Sequence, residues 1–126
     1  EVSKSLLKRK AAEGNIIMIG SVIADQGNVG QTVYAASKSG LSGAVKSLAL
    51  ELGSRGIRTN LIHPGYVKTD MTSSVKGLEG RPEVKPGEIA EAVRLILRTK
   101  SMNGQTLTVD GATPFFQQLH TASSKL

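Results

Sequence analysis

The sequence predicts an α/β fold in which three strands of a parallel sheet alternate with helices. Short apolar runs bounded by turn residues occur three times, as expected for strands buried on both faces. Segments with apolar residues three or four positions apart lie between these runs, which is typical of helices. Such alternation favours right-handed crossovers and a parallel sheet, and 126 residues suit one domain or part of one.

The first half of the chain contains two predicted helices separated by a strand and a loop. Residues 1–13 have the pattern of an amphipathic helix, which Gly-Asn then ends. Residues 15–20, Asn-Ile-Ile-Met-Ile-Gly, predict the first strand. Residues 21–31 are rich in Gly and Asn and predict a loop. Residues 32–52 lack Pro and predict a long helix. Its apolar residues cover more than the single face that would pack against a core.

The second half predicts a strand, a loop, a helix and a strand. Residues 57–62 predict the second strand, which His-Pro-Gly ends. Residues 66–86 contain repeated Gly and Pro and predict a loop. A helix opens at Gly87, with acidic residues in its first turn where they complement the helix dipole. Residues 105–110 predict the third strand, and a tail follows.

Composition excludes several classes of function. The absence of Cys excludes a disulfide scaffold, a thiolate metal site and a cysteine nucleophile, and two distant His give no support for a metal site. No apolar run approaches the length of a membrane span. The net charge is +6, but aromatic residues are only 3% and the positive charges are dispersed. We therefore expect no nucleic-acid or membrane partner, although a basic nucleic-acid-binding module stays as an alternative.

Chemically useful side chains are expected at the carboxyl ends of the strands, where open parallel sheets bind ligands. Ser21 follows the first predicted strand, and His63 begins the segment after the second. Tyr34 and Lys38 are four positions apart and share one helix face. An ammonium group beside a phenol favours the phenolate, which suits the tyrosine to proton transfer near neutral pH. His63 is interpreted as a polar strand-end residue rather than a base, and Asn60 as structural.

Several motifs occur in one order along the chain. Gly-Ser21 precedes Tyr34-Ala-Ala-Ser-Lys38, and then Pro64-Gly65-Tyr-Val-Lys-Thr and Gly-Gln-Thr-Leu-Thr-Val-Asp-Gly follow. Together they resemble the short-chain dehydrogenase/reductases over about residues 14–112. The run NVGQTVYAASKSGL is most similar to the 3-oxoacyl-[acyl-carrier-protein] reductase and carbonyl reductase branch. The resemblance implies the C-terminal part of a Rossmann-type doubly wound parallel sheet over residues 1–112, followed by a flexible tail over residues 113–126.

The resemblance also implies a catalytic group of Ser21, Tyr34 and Lys38. Tyr34 would be the acid/base of an NAD(P)-dependent oxidoreductase acting on a ketone or secondary alcohol, such as a 3-oxoacyl substrate. Lys38 would favour the phenolate and hydrogen-bond the nicotinamide ribose. Ser21 would bind the substrate by orienting its carbonyl group.

The same resemblance assigns cofactor contacts beyond the second strand. Pro64, Gly65 and Val67 would line the nicotinamide, with a Val67 backbone group meeting the carboxamide. Thr69 would approach the carboxamide or the pyrophosphate. Together with Tyr34 and Lys38, these residues complete the predicted cofactor contacts. The family resemblance favours NADP over NAD, and it implies a homo-oligomer, either a dimer or a tetramer.

The glycine-rich dinucleotide fingerprint of the family does not occur in these 126 residues. We therefore expect that a nucleotide-binding half precedes Glu1 in the parent protein and that this fragment alone is inactive. The alternative is a catalytically inactive fragment that acts as a partner of a full-length homologue. The segment between Met71 and Ile89 is also shorter than the usual substrate lid of the family, which bears on the choice of substrate.

The chain ends in Ser124-Lys125-Leu126. A C-terminal Ser-Lys-Leu is an address that the peroxisomal import receptor reads. The polar segment before it suits a mobile tail. The sequence therefore predicts a peroxisomal location, with the cytoplasm as the alternative.

Overall fold

The computed structural model describes residues 4–5, 13–69, 72 and 82–112. The strands are β1 (Gly14–Ile19), β2 (Ile57–Pro64), β3 (Tyr66–Val67), β4 (Glu83–Val84) and β5 (Thr106–Val109). The helices are α1 (Ile23–Gln26), α2 (Thr32–Gly53) and α3 (Pro86–Arg98). These elements form the Rossmann-like arrangement of strands alternating with helices that the sequence predicts.

The main sheet is parallel and has the order β1-β2-β5. β1 runs beside β2 from Gly14 opposite Ile57 to Ile19 opposite Ile62. β5 pairs with the second half of β2, ending with Val109 opposite Pro64. Because all three strands point the same way, their carboxyl ends lie at one edge of the sheet, where the predicted site residues follow them.

The core lies on both faces of β2, the central strand. Ile57, Leu61 and Ile62 of β2 are fully or almost fully buried. The buried row of α2 consists of Val45, Ala49 and Leu52. α3 packs its Ala92 and Ile96 into a cluster with Ile62. This burial on two sides explains why the β2 segment forms a strand despite its polar residues, since removal of apolar surface from water is the main driving force of packing.

The polar residues Arg58 and Asn60 of β2 tie this strand to the turn that follows α3. The Arg58 guanidinium donates to the carbonyl oxygens of Ile96 and Met102 at 3.1 and 2.6 Å. Asn60 donates to Met102 O at 2.9 Å and accepts from Gln105 N at 3.1 Å. The prediction that Asn60 is structural is therefore confirmed.

Two predicted loops contain short regular elements. The segment over residues 21–31 includes the single turn α1, and the segment over residues 66–86 includes β3 and β4, which pair in parallel as a separate two-stranded sheet. Elements of two to four residues are too short to show a hydrophobic period, so the turn residues around them dominate the pattern.

Several predictions fall on residues that are not described. Of the predicted helix over residues 1–13, the structure describes residues 4–5, which are helical, and residue 13. The tail over residues 113–126, with Ser124, Lys125 and Leu126, lies outside the described residues. Residues 70–71 and 73–81, within the predicted loop over residues 66–86, lie outside them as well.

Candidate active site

The carboxyl edge of the main sheet brings Ser21 beside the end of β2. Beyond β1 the backbone continues the ladder, because Gly20 N donates to Ile62 O at 2.8 Å and Val22 N donates to Pro64 O at 3.1 Å. Ser21 lies between these two bonds, so its backbone, though not its side chain, is fixed relative to Pro64. Two predicted site segments, one from each strand, therefore meet at this edge.

Ser21 is only 9% exposed. Its hydroxyl oxygen accepts a hydrogen bond from the backbone N–H of Ile23 at 3.3 Å, in the first turn of α1. This bond leaves the hydroxyl hydrogen available to donate to a substrate oxygen. The orientation of the Ser21 side chain thus depends on where α1 sits.

Tyr34 and Lys38 lie one turn apart near the start of α2, as the spacing predicts. The Lys38 ammonium nitrogen is 5.8 Å from the centroid of the Tyr34 ring, within the range of a cation–π contact. The same nitrogen donates to Ile19 O at 3.3 Å. Ile19 is the last residue of β1, two positions before Ser21, so Lys38 connects the helix to the strand end that carries the serine.

The Tyr34 side chain is half-exposed, as a group that must reach a substrate requires. Its residue is 43% exposed, whereas buried residues of the same helix face β2. The structure therefore places Ser21, Tyr34 and Lys38 around the carboxyl end of β1. A phenol, an ammonium group and a hydroxyl therefore lie near the carboxyl edge of the sheet. Such groups can transfer a proton to or from a carbonyl oxygen.

Pro64 and Gly65 lie at the end of β2, where Gly65 N donates to Val109 O at 2.8 Å. A Cβ atom at Gly65 would lie 2.6 Å from the Cα of Asp110. Only glycine fits this approach of two backbones. The Pro-Gly segment is therefore held rigidly by β5, as a surface that lines a ligand ring should be.

Val67 and Thr69 are organised by Thr72, a residue that the sequence analysis did not single out. The Thr72 hydroxyl donates to Val67 O at 2.8 Å, and Thr69 N donates to the Thr72 hydroxyl oxygen at 2.8 Å. Thr72 thus connects two of the predicted cofactor contacts, Val67 and Thr69. Ser and Thr side chains commonly make such local backbone bonds, so Thr72, the nearest threonine after Thr69, was an available signal.

His63 and Asp25 form a second contact that the sequence analysis missed in part. His63 lies at the end of β2, as predicted, but its side chain is fully buried and its Nδ1 is 2.7 Å from Asp25 Oδ2. Asp25 lies in α1, inside the predicted loop, so the sequence pattern did not single it out as a site residue. A charged residue close to a candidate catalytic serine was the only hint in the sequence.

Other surfaces of the described part of the chain do not compete with this edge. A cavity of about 570 Å³ lies at the opposite end of the sheet, lined in part by Asn15, Arg58 and Lys100. No group of three or more metal-binding side chains was found among the described residues. No helix in that part of the chain has the length and apolar character needed to cross a membrane.

Comparison with known proteins now places this fold in a class. The model of the family described as enoyl-(acyl carrier protein) reductase matches residues 1–112. Carbonyl reductase family member 4 of Xenopus laevis is 42% identical over 117 residues, covering 85% of this chain and 46% of the relative. The chain belongs to the short-chain dehydrogenase/reductase family.

Other relatives have names from the same class. The 3-oxoacyl-[acyl-carrier-protein] reductase FabG of Buchnera aphidicola is 44% identical over 121 residues, covering 87% of this chain and 49% of the relative. The structure of 3-hydroxyacyl-CoA dehydrogenase type-2 from Mycobacterium avium aligns with a TM-score of 0.76 at 32% identity, covering 89% of this chain and 49% of that one. A 4-hydroxyisoleucine dehydrogenase complexed with NADH also aligns with a TM-score of 0.76, at 27% identity, over 87% of this chain and 50% of that one. The chain spans about half the length of these relatives.

Proposed function

We propose that this chain carries the catalytic half of an NAD(P)-dependent oxidoreductase that interconverts a ketone and a secondary alcohol. The observation that carries the proposal is the position of Lys38. Its ammonium nitrogen lies 5.8 Å from the Tyr34 ring centroid and bonds the carbonyl oxygen at the end of β1, two residues before Ser21. A proton donor, a cation beside its ring and a hydroxyl thus share one strand end.

The residues at this edge suit the nicotinamide end of the cofactor. The Lys38 ammonium group has three donors, and the bond to Ile19 O uses one of them. The others suit ribose hydroxyl groups. Pro64 and Gly65 present a rigid backbone surface for a flat ring, and Val67, Thr69 and Thr72 supply polar groups for a carboxamide. When bound, the nicotinamide supplies or accepts the hydride.

The chain's own residues would manage the proton and the carbonyl group. In the reductive direction, Ser21 donates a hydrogen bond to the carbonyl oxygen and so positions and polarises it. Tyr34 gives its phenolic proton to that oxygen as the carbonyl carbon accepts hydride. The resulting phenolate is stabilised by the nearby Lys38 ammonium group and regains a proton from solvent. In the oxidative direction the same phenolate removes the alcohol proton.

The proposed substrate class is a 3-oxoacyl thioester or another small ketone, with NADP preferred to NAD. Support comes from the printed names of the relatives, which are carbonyl and 3-oxoacyl reductases. The net charge of +6 also suits anionic ligands such as nucleotide phosphates and acyl thioesters of coenzyme A. The proposed assembly is a homo-oligomer, and the exposed Val33 and Leu50 of α2 offer apolar surface for it.

The proposal is tested on the parent protein, meaning the product of the complete reading frame that contains these residues. NADPH and NADH oxidation is followed with 3-oxoacyl thioesters and simple ketones. Turnover of one ketone class with a nicotinamide cofactor supports the proposal. Absence of turnover with all of them, in a folded protein that still associates with a full-length homologue, would favour the inactive-partner alternative.

Residues 1–126 alone provide the second arm of this experiment. The outer edge of β1 has no strand beside it among the described residues, and exposed edges are templates for association. We expect this chain alone to bind NAD(P) negligibly, to show no reductase activity and to self-associate. Tight, saturable cofactor binding by a monodisperse monomer of this length would contradict the proposal that a separate segment supplies the nucleotide site.

We also propose a peroxisomal location, which rests on the terminal Ser124-Lys125-Leu126 alone. A fluorescent protein that ends in residues 115–126 should collect in the peroxisomes of a eukaryotic cell. Removal of Leu126 should return it to the cytosol, because the receptor reads the terminal residues together with the free carboxylate. Diffuse fluorescence from the intact tail would refute the location and leave the oxidoreductase proposal unaffected.

A further inference from the structure

A buried histidine lies directly beside the proposed active site. His63 is 0% exposed, and its Nδ1 is 2.7 Å from Oδ2 of Asp25, whose side chain is 60% exposed. Its Nε2 is also buried and has no hydrogen-bond partner among the described residues. Since buried polar atoms are normally paired, this arrangement needs a reason.

The geometry fixes the tautomer of the His63 ring. A carboxylate can only accept a hydrogen bond, so Nδ1 carries the proton and Nε2 is bare in the neutral ring. Nε2 faces Gly20, where an added Cβ would lie 2.7 Å from it. Glycine at position 20 therefore makes the space that the imidazole occupies, beside the backbone just before Ser21.

The contact is not a serine-nucleophile triad, although its residue types suggest one. In such a triad Nε2 accepts a hydrogen bond from the serine hydroxyl. Here Nε2 has no partner among the described residues, and the Ser21 oxygen accepts from Ile23 N instead. A role in acyl transfer by Ser21 is therefore not supported by the geometry.

The contact instead joins the two sides of the proposed active site. Asp25 belongs to α1, the turn whose Ile23 N–H orients the Ser21 hydroxyl. His63 belongs to β2, immediately before the Pro64-Gly65 segment. We infer that Asp25 and His63 are a positioning pair, which holds α1, and with it the hydroxyl of Ser21, in register with the nicotinamide side of the site.

The need for this tie follows from the weakness of α1. It has four residues and no side-chain hydrogen bond at its N-cap. An isolated turn of that length is unstable in water, so tertiary contacts must hold it. The side-chain bonds from Asp25 to His63 and from Ser39 to Ala24 O, the latter at 2.6 Å, provide those contacts.

The nicotinamide side has its own support and does not depend on the pair. Gly65 N bonds Val109 O at 2.8 Å, and β2 pairs with β5 as far as Pro64. Breaking the contact between Asp25 and His63 should therefore displace the Ser21 hydroxyl and leave the cofactor contacts in place. This inference rests on the proposed oxidoreductase function.

The test compares two substitutions of Asp25 in the parent protein. Asp25→Ala removes the acceptor, whereas Asp25→Asn keeps an acceptor oxygen for the Nδ1 proton. For Asp25→Ala we expect kcat to fall about tenfold or more, since small displacements of a positioned group cost that much, with an unchanged dissociation constant for the cofactor. Asp25→Asn should recover most of the lost kcat. Glu51→Ala, at an exposed position near the far end of α2, is the matched control for loss of a carboxylate and should leave kcat unchanged.

A spectroscopic measurement gives a readout that does not need turnover. ¹⁵N NMR of the His63 ring, assigned by the loss of its signal in His63→Asn, should show the proton of the neutral ring on Nδ1. Asp25→Ala should abolish this tautomer preference, and Asp25→Asn should preserve it. A neutral His63 ring that carries its proton on Nε2 in the unchanged protein would overturn the inferred geometry.

Kinetic outcomes separate this inference from the proposed function. Equal kcat for Asp25→Ala and the unchanged protein would overturn the positioning role while leaving the oxidoreductase function intact. Equal losses of kcat and cofactor affinity in both Asp25 variants would also overturn it, because they would indicate general destabilisation. If no ketone is turned over by the unchanged protein while Nδ1 is protonated as expected, the proposed function fails and the positioning role with it, but the contact itself stands.

Discussion

Replacement of Gly65 by alanine tests how closely the end of β2 approaches β5. The added methyl group would lie 2.6 Å from Asp110 Cα and 3.0 Å from Asp110 O. Both are backbone atoms that follow β5 directly, so they cannot rotate away as a flexible side chain would. Overpacking of this kind costs about 1–3 kcal/mol, and we expect the upper part of that range because the strand end itself must move.

Urea unfolding of the parent protein measures this cost by linear extrapolation. Gly87→Ala is the control, because nothing lies within 4 Å of an added Cβ there. Gly87 is in the first turn of α3, and alanine should be neutral or stabilise by up to about 1 kcal/mol. Gly65→Ala should also weaken binding of the nicotinamide cofactor, whereas Gly87→Ala should not. Equal stability and equal cofactor affinity of the two variants would refute the close approach.

Three further substitutions test separate contacts. Lys38→Ala should lower kcat for alcohol oxidation and weaken cofactor binding together, because one ammonium group contacts both the Tyr34 ring and the ribose; an unchanged kcat with normal affinity would contradict this role. Arg58→Lys should lower the free energy of unfolding by about 1–3 kcal/mol, because an ammonium group cannot span the carbonyls at the end of α3 that the guanidinium reaches. Lys100→Ala should raise the pKa of Glu13, which its hydrogen bond and charge hold below the usual range; an NMR titration should show this rise. Because both side chains are largely exposed, the stability that the ion pair adds above the ordinary carboxyl pKa, and that is lost at acid pH, should be small.

The sequence predicted the three strands of the main sheet and the two long helices to within two residues at almost every boundary. β2 illustrates why, since its ends at Ile57 and near Pro64 are marked by glycine and proline. The short elements were not predictable in the same way. α1 and the β3–β4 pair are held by tertiary contacts, such as the bond from Ser39 to Ala24 O. Contacts of this kind produce no local pattern in the sequence.

The candidate site shows the same division. Tyr34 and Lys38 could be placed together from the sequence because four residues make one helical turn. The contact of Lys38 with Ile19 O could not, because it crosses from α2 to β1. The contact between Asp25 and His63 joins positions 38 apart, and its residues looked like a loop carboxylate and a strand-end polar group until the fold brought them together.

The central claim is that Tyr34 carries the proton in a carbonyl reduction. The most direct measurement is kcat of the parent protein with Tyr34→Phe, beside Tyr66→Phe, which removes the hydroxyl of the chain's other tyrosine. Loss of a general acid should lower kcat for Tyr34→Phe by about 10²–10⁴-fold at unchanged free energy of unfolding, while Tyr66→Phe keeps its turnover. A Tyr34→Phe protein that reduces the same ketone at a rate close to that of the unchanged protein would contradict the claim.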